Sequence, residues 1–225
     1  MDPTARFAEL VQRVEAGVPL DRVMLLIATH ARRDLSMPTQ LARLDELALQ
    51  CPGTNAVDLC GRLFVDLGFV GNRESYYEPE NSLLDQVLDR RLGIPISLSV
   101  LAIEVGRRVG VPIVGVGMPG HFLVRSPTDP DTFIDPFDGG ATLDRLACVR
   151  RFTEVMGPGA PFDDELLAPV GAHAIISRVL ANLQQVYARR RDVDSLRWVQ
   201  ELLGLVPGAA ASERARSLRR AARWN

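Results

Sequence analysis

Residues 117–140, GMPGHFLVRSPTDPDTFIDPFDGG, read as two short strands around a turn, because alternating segments flank the turn-forming run SPTDPDT. If the hairpin centres on Thr128, Phe122 faces Ile134, Val124 faces Thr132 and His121 faces Asp135. Cβ atoms of directly opposed residues lie roughly 4.5–5.5 Å apart. An imidazole beside a carboxylate is the orienting half of a nucleophilic triad, in which the acid fixes the tautomer and supports the imidazolium. The same pair can equally be a structural ion pair. A register slip of one residue would put the two side chains on opposite faces.

Upstream of the hairpin, residues 97–109, SLSVLAIEVGRRV, form a helix that is apolar on almost every side in its first half, the pattern of a buried helix. Pro95 and Ser97 lie at its start. Before it, Leu83, Leu84, Val87 and Leu88 form one helical face, with Asn81 or Ser82 as cap and Gly93 as stop. The segment GFVGNRESYYEPEN (68–81) breaks regular structure, and Phe69, Tyr76 and Tyr77 in it could border a cleft. Downstream, Gly139 and Gly140 turn the chain, and 142–152 returns to helix. Helices beside a small antiparallel sheet indicate an α+β domain.

Four helices are expected in residues 1–66. Phe7, Leu10, Val11 and Val14 keep helical spacing, Pro38 opens the third helix and Asn55 caps the fourth. These residues pack on a core at 67–156. The linker GPGAPFDDE then leads to a tail at 165–225, with helices at 171–190, 192–205 and 211–222. The first two resemble one tetratricopeptide-type unit, which needs a neighbour to cover its apolar faces. A plain helical hairpin closing the domain is the other reading.

The formal charge of −2 supplies no field for nucleic acid or an anionic membrane. All 26 basic residues are arginine, and the runs Arg189 to Arg191 and Arg214 to Arg223 read as solvated helix faces. Cys51, Cys60 and Cys148 are odd in number and form no CxxC, so a reducing cytoplasm fits. The longest apolar run near the N-terminus, VMLLIA, is far too short for a membrane span. Asp129, Asp131, Asp135 and Asp138 cluster in sequence but miss the spacing of a calcium loop. His30 and His173 have no second ligand at metal-binding spacing. No metal and no cofactor are expected.

The stretch from GFVGN through NSLLDQVLDRRLGIPISLSVLAIEVGRRVGVP to PGHFLVR and IDPFDGG resembles the SirB-type branch of the transglutaminase-like superfamily. The likeness spans nearly the whole chain, tail included. It implies a papain/transglutaminase-like core: a nucleophile at the start of a buried helix, then a small sheet bearing His and Asp. PGH would supply the histidine at His121 and IDPF the aspartate at Asp135. The chain departs from that pattern where the helix begins. Gly93-Ile94-Pro95-Ile96-Ser97 contains no cysteine. Two functions follow as expectations. One is a non-catalytic or vestigial-site protein that binds a peptide or protein partner. The other is a serine hydrolase or acyltransferase in which Ser97 attacks, His121 takes the proton and Asp135 orients it.

Overall fold

The computed structural model describes residues 2–209; the expected helix at 211–222 and the arginines from Arg214 to Arg223 lie outside them. Four helices open the chain: α1 (Pro3–Val11), α2 (Leu20–Ala31), α3 (Met37–Leu49) and α4 (Ala56–Gly61), the last running into a π-helical turn at Arg62–Asp66. Strand β1 (Val70–Gly71), α5 (Leu84–Arg90), β2 (Leu92–Gly93) and α6 (Pro95–Val109) follow. Then come β3 (Val114–Val116), β4 (Leu123–Arg125), β5 (Phe133–Asp135) and β6 (Ala141–Leu143). The chain continues with α7 (Arg145–Met156), β7 (Pro169–Val170), α8 (Ala172–Arg190) and α9 (Val193–Leu205). The fold is α+β, with an antiparallel sheet in the order β6-β5-β4-β3-β7.

Local chemistry explains four of the helix starts. Asp2, Asn55, Asp144 and Asp192 each accept a first-turn N–H with the side chain. Helix α5 departs from expectation at both ends. Its N-cap is Leu83, with no side-chain bond, and it ends at Arg91 in the left-handed region (φ 54°) rather than at Gly93. Gly93 belongs to β2, which pairs in parallel with β1 through Val70–Leu92 and Gly71–Gly93. That two-residue ladder fixes the loop after β1 beside the start of α6. It and β6 were not expected from the sequence.

The sheet is covered on both faces, and its period of two sorts the side chains. Phe122, Val124 and Ile134 pack toward α6, while Val116, Leu123 and Phe133 pack with Cys148 and Phe152 of α7. Helix α6 is the centre of the larger core, with Leu98, Leu101 and Val105 fully buried. That core is continuous from Phe7 on α1 to Val199 and Leu202 on α9. Side-chain contacts also hold the last two helices to the first two. His173 Nε2 bonds the Val11 carbonyl at 2.7 Å, and the His30 ring stacks on Trp198 at 5.4 Å. Among the described residues no helix is long and apolar enough to cross a membrane.

The hairpin register differs from the expected one. Val124 pairs with Ile134 and Arg125 with Phe133, which centres the hairpin on Asp129. Val124 thus meets Ile134 rather than Thr132. The shift of two positions is even, so every side chain keeps its face. His121 and Asp135 become diagonal rather than direct neighbours, still within reach of a long side chain.

Candidate functional site

His121 enters just before β4, through a turn in which Gly120 takes φ +73° and the His121 N–H donates to the Met118 carbonyl at 3.1 Å. Asp135 closes β5 and is fully buried. His121 Nε2 lies 2.7 Å from Asp135 Oδ2. A carboxylate only accepts, so Nε2 carries the proton, and Nδ1 has no hydrogen-bond partner among the described residues on a side chain that lines the cleft. Asp135 Oδ1 accepts the N–H groups of Phe137 (3.0 Å) and Asp138 (3.2 Å), and Arg151 Nη1 also donates to Oδ2. Four donors therefore hold one carboxylate, enough to offset the cost of burying it.

Arg151 was not anticipated. It stands on α7 and spans two acids, bonding Asp138 Oδ2 at 2.9 Å as well as Asp135. Arg73 bonds the other oxygen of Asp138 at 2.8 Å and lies over the Phe137 ring. The hydrogen bond from Arg151, with Arg73 and His121 adding to it, holds the Asp138 carboxyl below its usual range. Phe137 meets the His121 ring edge-on, with centroids 6.2 Å apart. Asp129 and Asp131 take no part in this cluster, and among the described residues no group of three His, Cys, Asp or Glu could hold a metal ion.

Ser97 is 3% exposed, in the first turn of α6. Its Oγ accepts the Ile94 N–H at 3.0 Å and lies 2.6 Å from the Asn81 carbonyl, to which it donates. The residues that α6 does present to the cleft are Pro95 and Ile96. Asn81, expected as a helix cap, is instead fully buried. Its Nδ2 donates to the carbonyls of Ser75 (2.8 Å) and Tyr76 (3.1 Å), and its Oδ1 accepts from Asn72 (3.0 Å). The loop carrying Tyr76 and Tyr77 is thereby tied to the start of α6.

The cleft has a volume of about 670 Å³. Tyr76, Tyr77 and Phe137 form an aromatic wall, with Tyr76 edge-on to both neighbours at 5.2 and 5.9 Å. Phe69 is buried in the core and does not reach it. Helix α8 also lines the cleft, presenting Arg178, Asn182 and Gln185. Arg178 Nη2 donates to the carbonyls of Met118 (3.0 Å) and His121 (2.7 Å), bracing the turn that delivers the histidine. These three residues follow i, i+4, i+7 spacing, a polar stripe beside the apolar face of α8 (Ile175, Ile176, Val179, Leu183, Val186) that a reading of the helix could have marked.

The cysteines stand outside the cleft. Burial pushes the Cys60 thiol up to about 12 and the Cys148 thiol up to about 11, and it raises Cys51 as well. All three are free and buried. Ellman's reagent is therefore expected to find no fast-reacting thiol in the folded chain and all three after unfolding in denaturant. A rapidly titrating thiol in the native protein would contradict the burial of the three cysteines.

A model of the transglutaminase-like superfamily matches residues 9–181. A UPF0162 protein of Xylella fastidiosa is 45% identical over 161 residues, which are 69% of this chain and 57% of that protein. A UPF0162 protein of Pseudomonas aeruginosa is 32% identical over 157 residues, with the same shares of 69% and 57%. Human F-box only protein 21 is 44% identical over 158 residues, 66% of this chain and 24% of that protein. The chain thus spans little more than half the length of these UPF0162 relatives. No solved structure matches it.

Proposed function

The chain belongs to the transglutaminase-like superfamily, and from that premise we propose that it is a SirB-type member whose cleft binds a peptide or protein partner without catalysing a reaction. The observation that carries this reading is the mismatch between the two sides of the cleft. One side keeps a buried, oriented histidine on Asp135. On the other, the start of α6 presents Pro95 and Ile96, neither of which is a nucleophile. Ser97 is next in line, but its proton is directed to the Asn81 carbonyl and not to an imidazole. A serine attacks only when a base within hydrogen-bond reach removes that proton. Aromatic walls with a few placed polar groups are typical of a binding cleft. The alignment with part of a longer F-box only protein supports a core that works among other modules. In this reading the α8–α9 hairpin is a tetratricopeptide-like unit that walls the cleft, and the three free thiols fit work in the cytoplasm.

The test combines two probes on the full chain. A fluorophosphonate serine probe is expected to leave the protein unlabelled. A photo-crosslinking amino acid at Tyr77, which is 46% exposed at the cleft edge, is expected to capture peptides from a random library. Labelling that disappears in Ser97→Ala would replace this reading with the serine hydrolase.

A further inference from the structure

The cleft combines four features that bear on the charge of its occupant. The first is α6, a helix of fifteen residues whose N-cap, Ile94, offers no side-chain bond. The first-turn N–H groups of a helix have no partner within it and carry the positive end of its dipole. Pro95 has no N–H, so the amides of Ile96 and Ser97 are the ones offered, and Ile96 lines the cleft. The second feature is independent of the helix. His121 is 7% exposed and lines the same cleft, and its Nδ1 has no hydrogen-bond partner among the described residues. The third is charge: Arg178 lines the cleft, and among the described lining residues none is acidic. Asp135 lies behind the imidazole, fully buried and engaged by Arg151. The fourth is spacing. The Phe137 ring centroid lies 6.2 Å from that of His121, and Tyr76 lies 5.9 Å beyond Phe137. An anion at Nδ1 and an apolar side chain against these rings are therefore separated by about the span of one residue.

Resting on the binding reading above, we propose that the cleft receives the free C-terminal carboxylate of a peptide that ends in an apolar or aromatic residue. The carboxylate accepts from the first turn of α6 and from His121 Nδ1. It thereby selects the imidazolium, the form that Asp135 supports from behind through Nε2. The terminal side chain lies against Tyr76 and Phe137. Asn182 and Gln185, one turn apart on α8, face the preceding peptide groups and have both donors and acceptors for them.

The experiment is fluorescence anisotropy of the full chain with three sets of N-terminally labelled hexapeptides. One set ends in Phe or Leu with a free carboxylate, the second has the same sequences as C-terminal amides, and the third consists of amides with an internal Glu. The free-carboxylate set is expected to bind at least about tenfold more tightly than either amide set, the gain of one charge-assisted contact. Gln185→Glu keeps the side-chain shape at an exposed position and puts a negative charge on the cleft wall. It is expected to cut free-carboxylate binding several-fold more than it cuts amide binding, because both sets lose the donors of the Gln185 amide but only the free acids meet the added charge. Equal binding of acids and amides overturns the carboxylate site while the peptide-binding reading stands. Equal binding by the internal-Glu set overturns the C-terminal assignment alone. No binding by any set overturns the inference, and serine-probe labelling in the same preparation would then show that the binding reading had failed too.

Discussion

Asp135→Ala is expected to destabilise the folded chain by about 3–5 kcal/mol, the cost of removing one partner from a buried ion pair. The size follows from what is left behind. Asp135 is fully buried and accepts from His121, from Arg151 and from two backbone amides. The truncation leaves the Phe137 and Asp138 N–H groups without their acceptor, releases the Nε2 proton of His121, and leaves Arg151 with Asp138 alone. Urea denaturation measures the loss. Asp138→Ala is the internal comparison: its side chain is 42% exposed, so the loss of its pairs with Arg73 and Arg151 should cost about 0–1 kcal/mol. If the two variants proved equally mild, Asp135 would not organise the site. Asp135→Asn separates charge from shape. It can still accept the two amides through its oxygen, but its NH₂ group then faces the two donors His121 and Arg151.

The pairing of His121 with Asp135 was legible in the sequence because alternation survives an even register shift. The expected centre at Thr128 lay one residue from the true one at Asp129, and the two side chains still shared a face. Helices α6, α8 and α9 were legible from apolar spacing, and the two strands of the hairpin from their turn. What was not legible is set by distant chain. Arg151 reaches Asp135 from α7, and no local pattern marks an arginine that will span two acids. The placement of the Ser97 hydroxyl depends on Asn81, which is brought beside α6 by the β1–β2 ladder, and a strand of two residues has no periodicity to read. Gly71 marks how closely that ladder approaches the site. A Cβ there would lie 2.4 Å from the Phe137 ring and 2.6 Å from the Phe137 carbonyl oxygen, so the position needs glycine for space.

The same ladder is why Asn81 carries more than its own burial. Asn81→Ala is expected to cost about 2 kcal/mol, because it removes three hydrogen bonds from a partly buried turn, at about 0.5–1.5 kcal/mol each and less than additively. The Tyr76 carbonyl loses its Asn81 donor, the Ser75 carbonyl is left with the Glu78 N–H at 3.2 Å, and the side-chain amide of the buried Asn72 is left with only a long contact to Glu78 Oε2 at 3.4 Å. The bond from the Ser97 hydroxyl to the Asn81 carbonyl does not need the Asn81 side chain and should persist. The damage is therefore local: the turn holding Tyr76 and Tyr77 loosens while α6 and the five-stranded sheet stay folded. Hydrogen exchange should show faster exchange confined to residues 73–80. Peptide binding in the cleft should weaken with it, since a wall that must be ordered on binding costs affinity. Asn81→Asp is the sharper probe. It has the same shape, but a carboxylate oxygen would face two carbonyl oxygens where an NH₂ group now donates. If the loop stayed as protected in that variant as in the wild type, the donor role of Asn81 would be wrong, and the aromatic wall would have to be held by ring packing and by the Arg189 guanidinium over the Tyr77 ring.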